Sequence, residues 1–251
     1  MVQGRKSVRN WLIIIISVLL ALTGLIWTGF SMARSWTPSR EDYPLQGVTV
    51  SAESGTISWR ALAAQGVGFG YIEATRGANQ RDPRFIENYR KARTSDIGFA
   101  PLHHYDLCSL ASDQAQNFVT TVPRNDKAMP AAIALDFSED CTTRPTEALV
   151  ISEMITFLNQ IEGHMGKRAV LRISPEFESE YQISAAISRE IWLTGNYFAP
   201  EYASRPWTLW TANDHYSMDG ASGPIGWNVV QPASGTDPQS ETTKDSVPDA
   251  D

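Results

Sequence analysis

Two kinds of hydrophobic patterning divide the chain. From Trp11 to Phe30 no residue is charged, in the run WLIIIISVLLALTGLIWTGF, and that length spans a bilayer as a helix. After residue 44 short apolar runs alternate with amphipathic stretches. GVTVS (47–51) precedes a short helix around SWRALAAQ, and VGFGYIEA (67–74) precedes a helix expected to open at Asp82-Pro83, with the acid as cap and the proline at the first helical position. IGFAPLHHY (97–105) leads into ASDQAQNFVTTV. AAIALD (131–136) leads into a helix from about Pro145 to Gly163, where Leu149, Ile155, Leu158 and Ile161 offer a core stripe. AVLRIS (169–174) meets Ser174-Pro175, a second cap followed by proline, and the remainder is mostly strand-like in EIWLT, PWTLWTA and IGWNVV. This βα order predicts an α/β protein with a parallel sheet, open or closed into a barrel, whose ligands sit at the carboxyl ends of the strands.

The flanks orient the apolar run. Arg5, Lys6 and Arg9 crowd its short amino-terminal side, whereas Arg34 and Arg40 on the other side are balanced by Glu41 and Asp42. By the positive-inside rule residues 1–10 are expected in the cytoplasm, 11–30 as a transmembrane anchor and the body outside. A cleaved signal peptide is the competing reading, because Ser31-Met32-Ala33 supplies small residues at suitable spacing, although the run is longer than a usual signal core. Residues 31–44 read as a polar linker and 45–232 as one globular domain. Residues 233–251, with no aromatic residue and one valine, read as a disordered acidic tail.

Charge narrows the partners. Three of the 21 basic residues and none of the 28 acidic ones precede position 30, which leaves 18 against 28 and a net charge of −10 beyond it. That argues against nucleic acid and against adhesion to anionic lipid, and leaves neutral glycans or small polar ligands. The two cysteines, Cys108 and Cys141, each lie just past an apolar run that ends on an acid. In an exported protein such a pair reads as one structural disulfide; two unrelated buried thiols are the alternative.

The predicted strand ends carry Thr49, Ser51, Glu73, His103 to Asp106, Asp136 to Asp140, and Trp210 to Asn213. This polar and aromatic rim has the composition of a sugar site. For Glu73, a binding role stands beside an ion pair with Arg76 or Arg172. His103 and His104 are adjacent on a strand and must point to opposite faces, so one of them is packed or solvent-facing. His164 and His215 lie elsewhere, so no metal set converges and no cofactor is expected. Trp207 and Trp210 fit a core as readily as a ligand platform. With no G-x-S-x-G elbow and no Cys-His arrangement, the carboxylates are the catalytic candidates.

The order and spacing of GVTVS, ISWRALAAQGVGFGYIEATRG, DPRFIENYRKA, LHHY, DQAQNFVTTVP, ALD and RPWTLW resemble the family 25 glycoside hydrolases, muramidases of the lysozyme type with an irregular TIM-like β/α barrel. The resemblance covers residues 45–232 and implies peptidoglycan glycan strands as ligand. It also implies where this chain departs. The family's first-strand aspartate, in a G-[IV]-D-V-S pattern, is Thr49; the glutamate that donates the proton, in a D-x-E pattern at the fourth strand end, is Ser138; a lysine or similar group common at the second strand is Glu73; and a late D-x-N aspartate is Gly226. Asp136 alone keeps a matching position. Glycosidases normally need two carboxyl groups about 5 Å apart for retention or about 6.5–9.5 Å apart for inversion.

The expected function is therefore recognition of glycan strands by an inner-membrane-anchored, periplasmic muramidase-like domain with lost or impaired activity. Substrate-binding roles are expected for Thr49, Glu73, His103, Tyr105, Ser138 and Trp210. An active muramidase pairing Asp136 with a shifted donor, Glu139, is one alternative. A one-residue shift turns a strand side chain to the other face unless a bulge restores it. A protein-interaction module on a vestigial glycosidase barrel is the other.

Overall fold

The computed structural model describes residues 3–232, with side chains from Asn10 onward. The expected acidic tail, 233–251, lies outside the described residues. Helix α1 (Gln3–Ser35) opens the chain, and its segment Asn10–Ser35 is long and apolar enough to cross a membrane. Three of its hydroxyls are satisfied within the helix: those of Thr23, Thr28 and Ser35 donate to the carbonyls of Leu19, Gly24 and Ser31, which suits an apolar surrounding with no competing water.

Strands and α-helices then follow, with a 3-10 turn at Ala52–Ser54. They are β1 (Gln46–Val50), α2 (Trp59–Ala64), β2 (Phe69–Arg76), β3 (Gln80–Arg81), α3 (Phe85–Ala92), β4 (Gly98–His104), α4 (Ala111–Thr121), β5 (Ala132–Leu135) and α5 (Glu147–Met165), and then β6 (Val170–Ile173), α6 (Pro175–Tyr181), α7 (Ile183–Ala186), β7 (Glu190–Thr194), β8 (Leu209–Tyr216) and β9 (Ile225–Val230). Parallel pairing runs from β1 through β2, β4, β5, β6 and β7 to β8. The antiparallel strand β9 then closes the ring between β8 and β1. The result is an eight-stranded α/β barrel, irregular because its last connection is a hairpin, with β3 as a short extension of β2.

Alternation along the strands decides what fills the barrel. Phe69, Tyr71, Leu102, Val170, Trp192 and Leu209 pack its interior, and glycine at 47 is required because a Cβ there would lie 2.5 Å from the Phe69 ring. A polar ladder then climbs toward the rim. Trp192 Nε1 donates to Thr211 Oγ1 (2.8 Å), Thr211 Oγ1 to Asn228 Oδ1 (3.0 Å), and Asn228 Nδ2 to Thr49 Oγ1 (2.9 Å). The larger core lies outside, between the strands and the helices.

Several elements differ in detail from the sequence pattern. Asp82-Pro83 forms a turn before α3 and not its first turn: Asp82 Oδ1 accepts from the Arg84 amide (2.8 Å), and Asp82 Oδ2 accepts from the distant Ala52 amide (2.6 Å). Helix α5 buries Val150, Met154, Phe157, Leu158, Ile161 and Met165, while Leu149 and Ile155 of the expected stripe are exposed. Ser174 does cap α6, its hydroxyl accepting from Phe177 N with Pro175 in the first turn.

The expected polar linker is packed against the barrel. Helix α1 continues to Ser35, and Trp36 then lies edge-on to Tyr197 (5.6 Å between ring centroids) and tilted against Trp210 (6.4 Å). Buried Gln46 donates through Nε2 to the carbonyls of Pro38 (3.1 Å) and Tyr43 (2.9 Å), and Arg40 donates to those of Gly66 and Gln65. The bridge expected between Cys108 and Cys141 is present, with Cα atoms 5.8 Å apart, and joins the loops that follow β4 and β5.

Candidate functional site

The carboxyl ends of the parallel strands deliver four charged or ionisable side chains to one rim. Glu73 comes from β2, His104 from the last position of β4, Asp136 from just past β5, and Arg172 from β6. His104 stands between two acids. Its Nε2 lies 2.8 Å from Glu73 Oε1 and its Nδ1 4.0 Å from Asp136 Oδ2. Burial raises the Glu73 carboxyl, but the His104 hydrogen bond, with the charges of His104, Arg76 and Arg172, outweighs it and leaves the group below its ordinary range. Glu73 is thus held as a carboxylate at neutral pH.

A register shift between Glu73 and Thr75 in the β2–β4 pairing accounts for this geometry. The extra residue re-aims the strand beside the site, as bulges commonly do. Thr75 Oγ1 then meets His103 Nδ1 (2.8 Å) on the outer face while Glu73 meets His104 on the inner one.

The expectation for His103 is therefore corrected. It is fully buried between barrel and helices, stacked on Phe157, and bonded through Nε2 to Gln114 Oε1. Burial drives its pKa down to about 3, so it is neutral. Trp210 is likewise turned from the rim: it is buried, donates through Nε1 to the Gly195 carbonyl (2.6 Å), and packs among Trp36, Tyr43 and Trp207. Tyr105 borders the cavity, but its ring is buried edge-on against Phe157.

Three adjoining depressions cross the rim. One of about 100 Å³ is lined by Asp136, His104, Ser138, Asp140 and the disulfide. It shares Arg76 and Gln80 with a second of about 270 Å³. The second shares Ser51, Glu53 and Glu73 with a third of about 170 Å³, which Thr49, Arg172, Thr211 and Asp214 also line. Residues 138–141 form a turn in which Cys141 N donates to the Ser138 carbonyl and Asp140 N to Ser138 Oγ. Ser138 and Asp140 line the cavity; Glu139 between them does not, and both acids are exposed. Thr49 faces Gly226 across the β1–β9 pair, and a Cβ at 226 would meet the Thr49 Cβ at 3.2 Å.

A family model for "Glycosyl hydrolases family 25" matches residues 48–221. The chain belongs to glycosyl hydrolase family 25. Among solved structures, a family 25 glycosyl hydrolase from Bacillus anthracis is 26% identical with a TM-score of 0.72, covering 80% of this chain and 94% of that one. A lysozyme from Streptomyces coelicolor gives 21% identity and a TM-score of 0.69 over 76% of this chain and 93% of that one. The Escherichia coli K12 protein YegX, described as uncharacterized, is 23% identical over 194 residues, 74% of this chain and 70% of its own.

Within this family 25 barrel, His104, Arg172 and Asp140 are rim residues that the sequence reading did not single out as ligands. The signal for the histidine was available: Leu102 is apolar and barrel-facing, so the period of two selects His104 over His103 once the phase of β4 is known.

Proposed function

We propose that this family 25 domain binds peptidoglycan glycan strands in the groove across its rim and does not cleave them. Helix α1 would anchor it in the inner membrane of a bacterium, with the amino terminus cytoplasmic and the barrel periplasmic. The observation that carries the reading is the state of the central acid. Glu73 is held ionised by His104 and the neighbouring arginines, so it cannot serve as the protonated group that a glycosidic oxygen requires. Ser138 stands where the family's proton donor is expected, and a hydroxyl at that place does not replace a carboxylic acid at neutral pH. Asp136 and Glu73 then act as hydrogen-bond acceptors, and Arg172 and His104 as donors, for sugar hydroxyl and amide groups.

The test is made on the full chain in detergent. It should co-sediment with purified peptidoglycan and release no reducing ends above background. Ser138→Glu together with Thr49→Asp should produce measurable hydrolysis. General acid catalysis typically contributes 10²- to 10⁴-fold, which sets the scale of the expected gain. Turnover by the unaltered chain would overturn the reading. Its loss in Asp140→Asn would then assign the acid to the residue that shares a cavity with Asp136, and its loss in Glu139→Gln to the residue outside that cavity. Failure to bind any glycan would favour a protein-interaction role for the barrel.

A further inference from the structure

The base of α1 meets the barrel at the carboxyl end of β8. Buried Asn213 donates through Nδ2 to the carbonyls of Ala33 (2.8 Å) and Trp36 (3.0 Å), and Ser217 N donates to the Arg34 carbonyl (3.0 Å). The loop that follows β7 lies against the same place. It is held firmly: Gly195 N and Tyr197 N donate to the carbonyls of Thr211 and Ala212, and the Asn196 side chain exchanges two hydrogen bonds of 2.9 Å with Asp214. Tyr197 is pinned at φ 71, a left-handed conformation that costs a residue other than glycine about 1 kcal/mol or more, and its ring edge rests on Trp36. The next residue, Phe198, is 81% exposed.

Single apolar side chains on a surface are ordinary, but Phe198 is the most exposed large apolar side chain among the described residues, and its place in the fold supplies a cover for it. Phe30, at the end of the uncharged run, is six residues before Trp36, or roughly 9 Å along a helix, so Trp36 and the loop beside it fall near the headgroup layer of any bilayer that α1 crosses. Tyrosine and tryptophan collect at that depth because an apolar ring and a polar group are both satisfied there; this suits Tyr197 and Trp36, and Phe198 adds an apolar ring that gains by burial beside them. Glu201 nearby is exposed, so the contact would rest on aromatic burial and not on attraction to anionic lipid.

We propose that Tyr197 and Phe198 form a second membrane contact, seated in the interface of the bilayer that α1 enters. The proposal rests on the anchoring reading above and commits to lipid as the occupant. It also orients the groove: Asp214 lines the third depression while its neighbour Asn213 holds the anchor, so this end of the groove opens beside the membrane.

The test uses the full chain in vesicles of phosphatidylethanolamine and phosphatidylglycerol. Nitroxide labels are placed singly at Phe198→Cys, Ala199→Cys, Ile86→Cys and Leu20→Cys, with the native cysteines left in their bridge. Ile86 is exposed on α3, which follows β2 on the far side of the ring from β7. Labels at 198 and 199 should relax preferentially with oxygen, as the label at 20 does. The label at 86 should respond to a water-soluble nickel chelate. Labels at 198 and 199 as water-accessible as that at 86, with the label at 20 in lipid, would overturn the second contact and leave the anchor standing. A water-accessible label at 20 would overturn both.

Discussion

At the scale of single residues, the two histidines of LHHY show how one strand divides its labour. His104 faces the groove between two acids, and His103 is sealed behind it. The buried ring has a measurable signature. Its folded pKa of about 3 lies below the ordinary 6.5, so the unfolded chain binds a proton that the folded one refuses. The stability this gives is present above pH 6.5 and is lost as pH falls toward 3. The upper part of that window, above about pH 5.5, lies above the range in which the Glu73 carboxyl takes up a proton in the unfolded chain, and its folded value is lower still. Urea midpoints should therefore fall between pH 6.5 and 5.5 in the native chain. His103→Phe should flatten that slope, while lowering stability at pH 7 by about 1–3 kcal/mol because Thr75 and Gln114 lose a buried partner.

Secondary-structure elements were legible where their apolar positions carried a phase and less so where caps and faces decided. The main strands and a parallel sheet followed from the alternation of apolar runs with amphipathic stretches, and its closure into a barrel from the family spacing. The α5 stripe was half misplaced because apolar residues occur on more than one face of that helix, and contact with the barrel and with α4 selects Val150, Met154 and Phe157 over Leu149 and Ile155. Asp82 looked like a cap because the acid-proline pair is a cap signal, but its carboxylate is shared with the Ala52 amide thirty residues away, which no local pattern reveals. The bulge between Glu73 and Thr75 was invisible for the same reason: it is a property of two strands in register. The bridge between the β4 and β5 loops, expected from the pairing of two cysteines in a chain read as exported, is present. It closes a loop of 33 residues, for which the chain-entropy estimate is about 3–4 kcal/mol. Urea unfolding with and without reductant should differ by that amount, and two thiols titrated in the unreduced, denatured chain would refute the bridge.

At the scale of the whole molecule, the base of α1 with the segment after it shares with the barrel an interface of hydrogen bonds and packed aromatic rings. Asn213→Ala removes the donor to two carbonyls at the base of α1 and, with Trp36→Ala, should loosen residues 36–45. Trypsin should then cut at Arg40 severalfold faster than in the native chain, where Arg40 is held by the carbonyls of Gly66 and Gln65. The packed segment also sets how far the groove can search. A free tether over 31–44 would let the barrel wander by roughly 20 Å root-mean-square, the span of a flexible fourteen-residue chain. Docking shortens that leash to almost nothing. On the anchoring proposed above, the groove sweeps only a thin sheet of space over the membrane as the protein diffuses laterally, so the strands it meets are those lying closest to the bilayer, and its encounters scale with its density in the membrane plane.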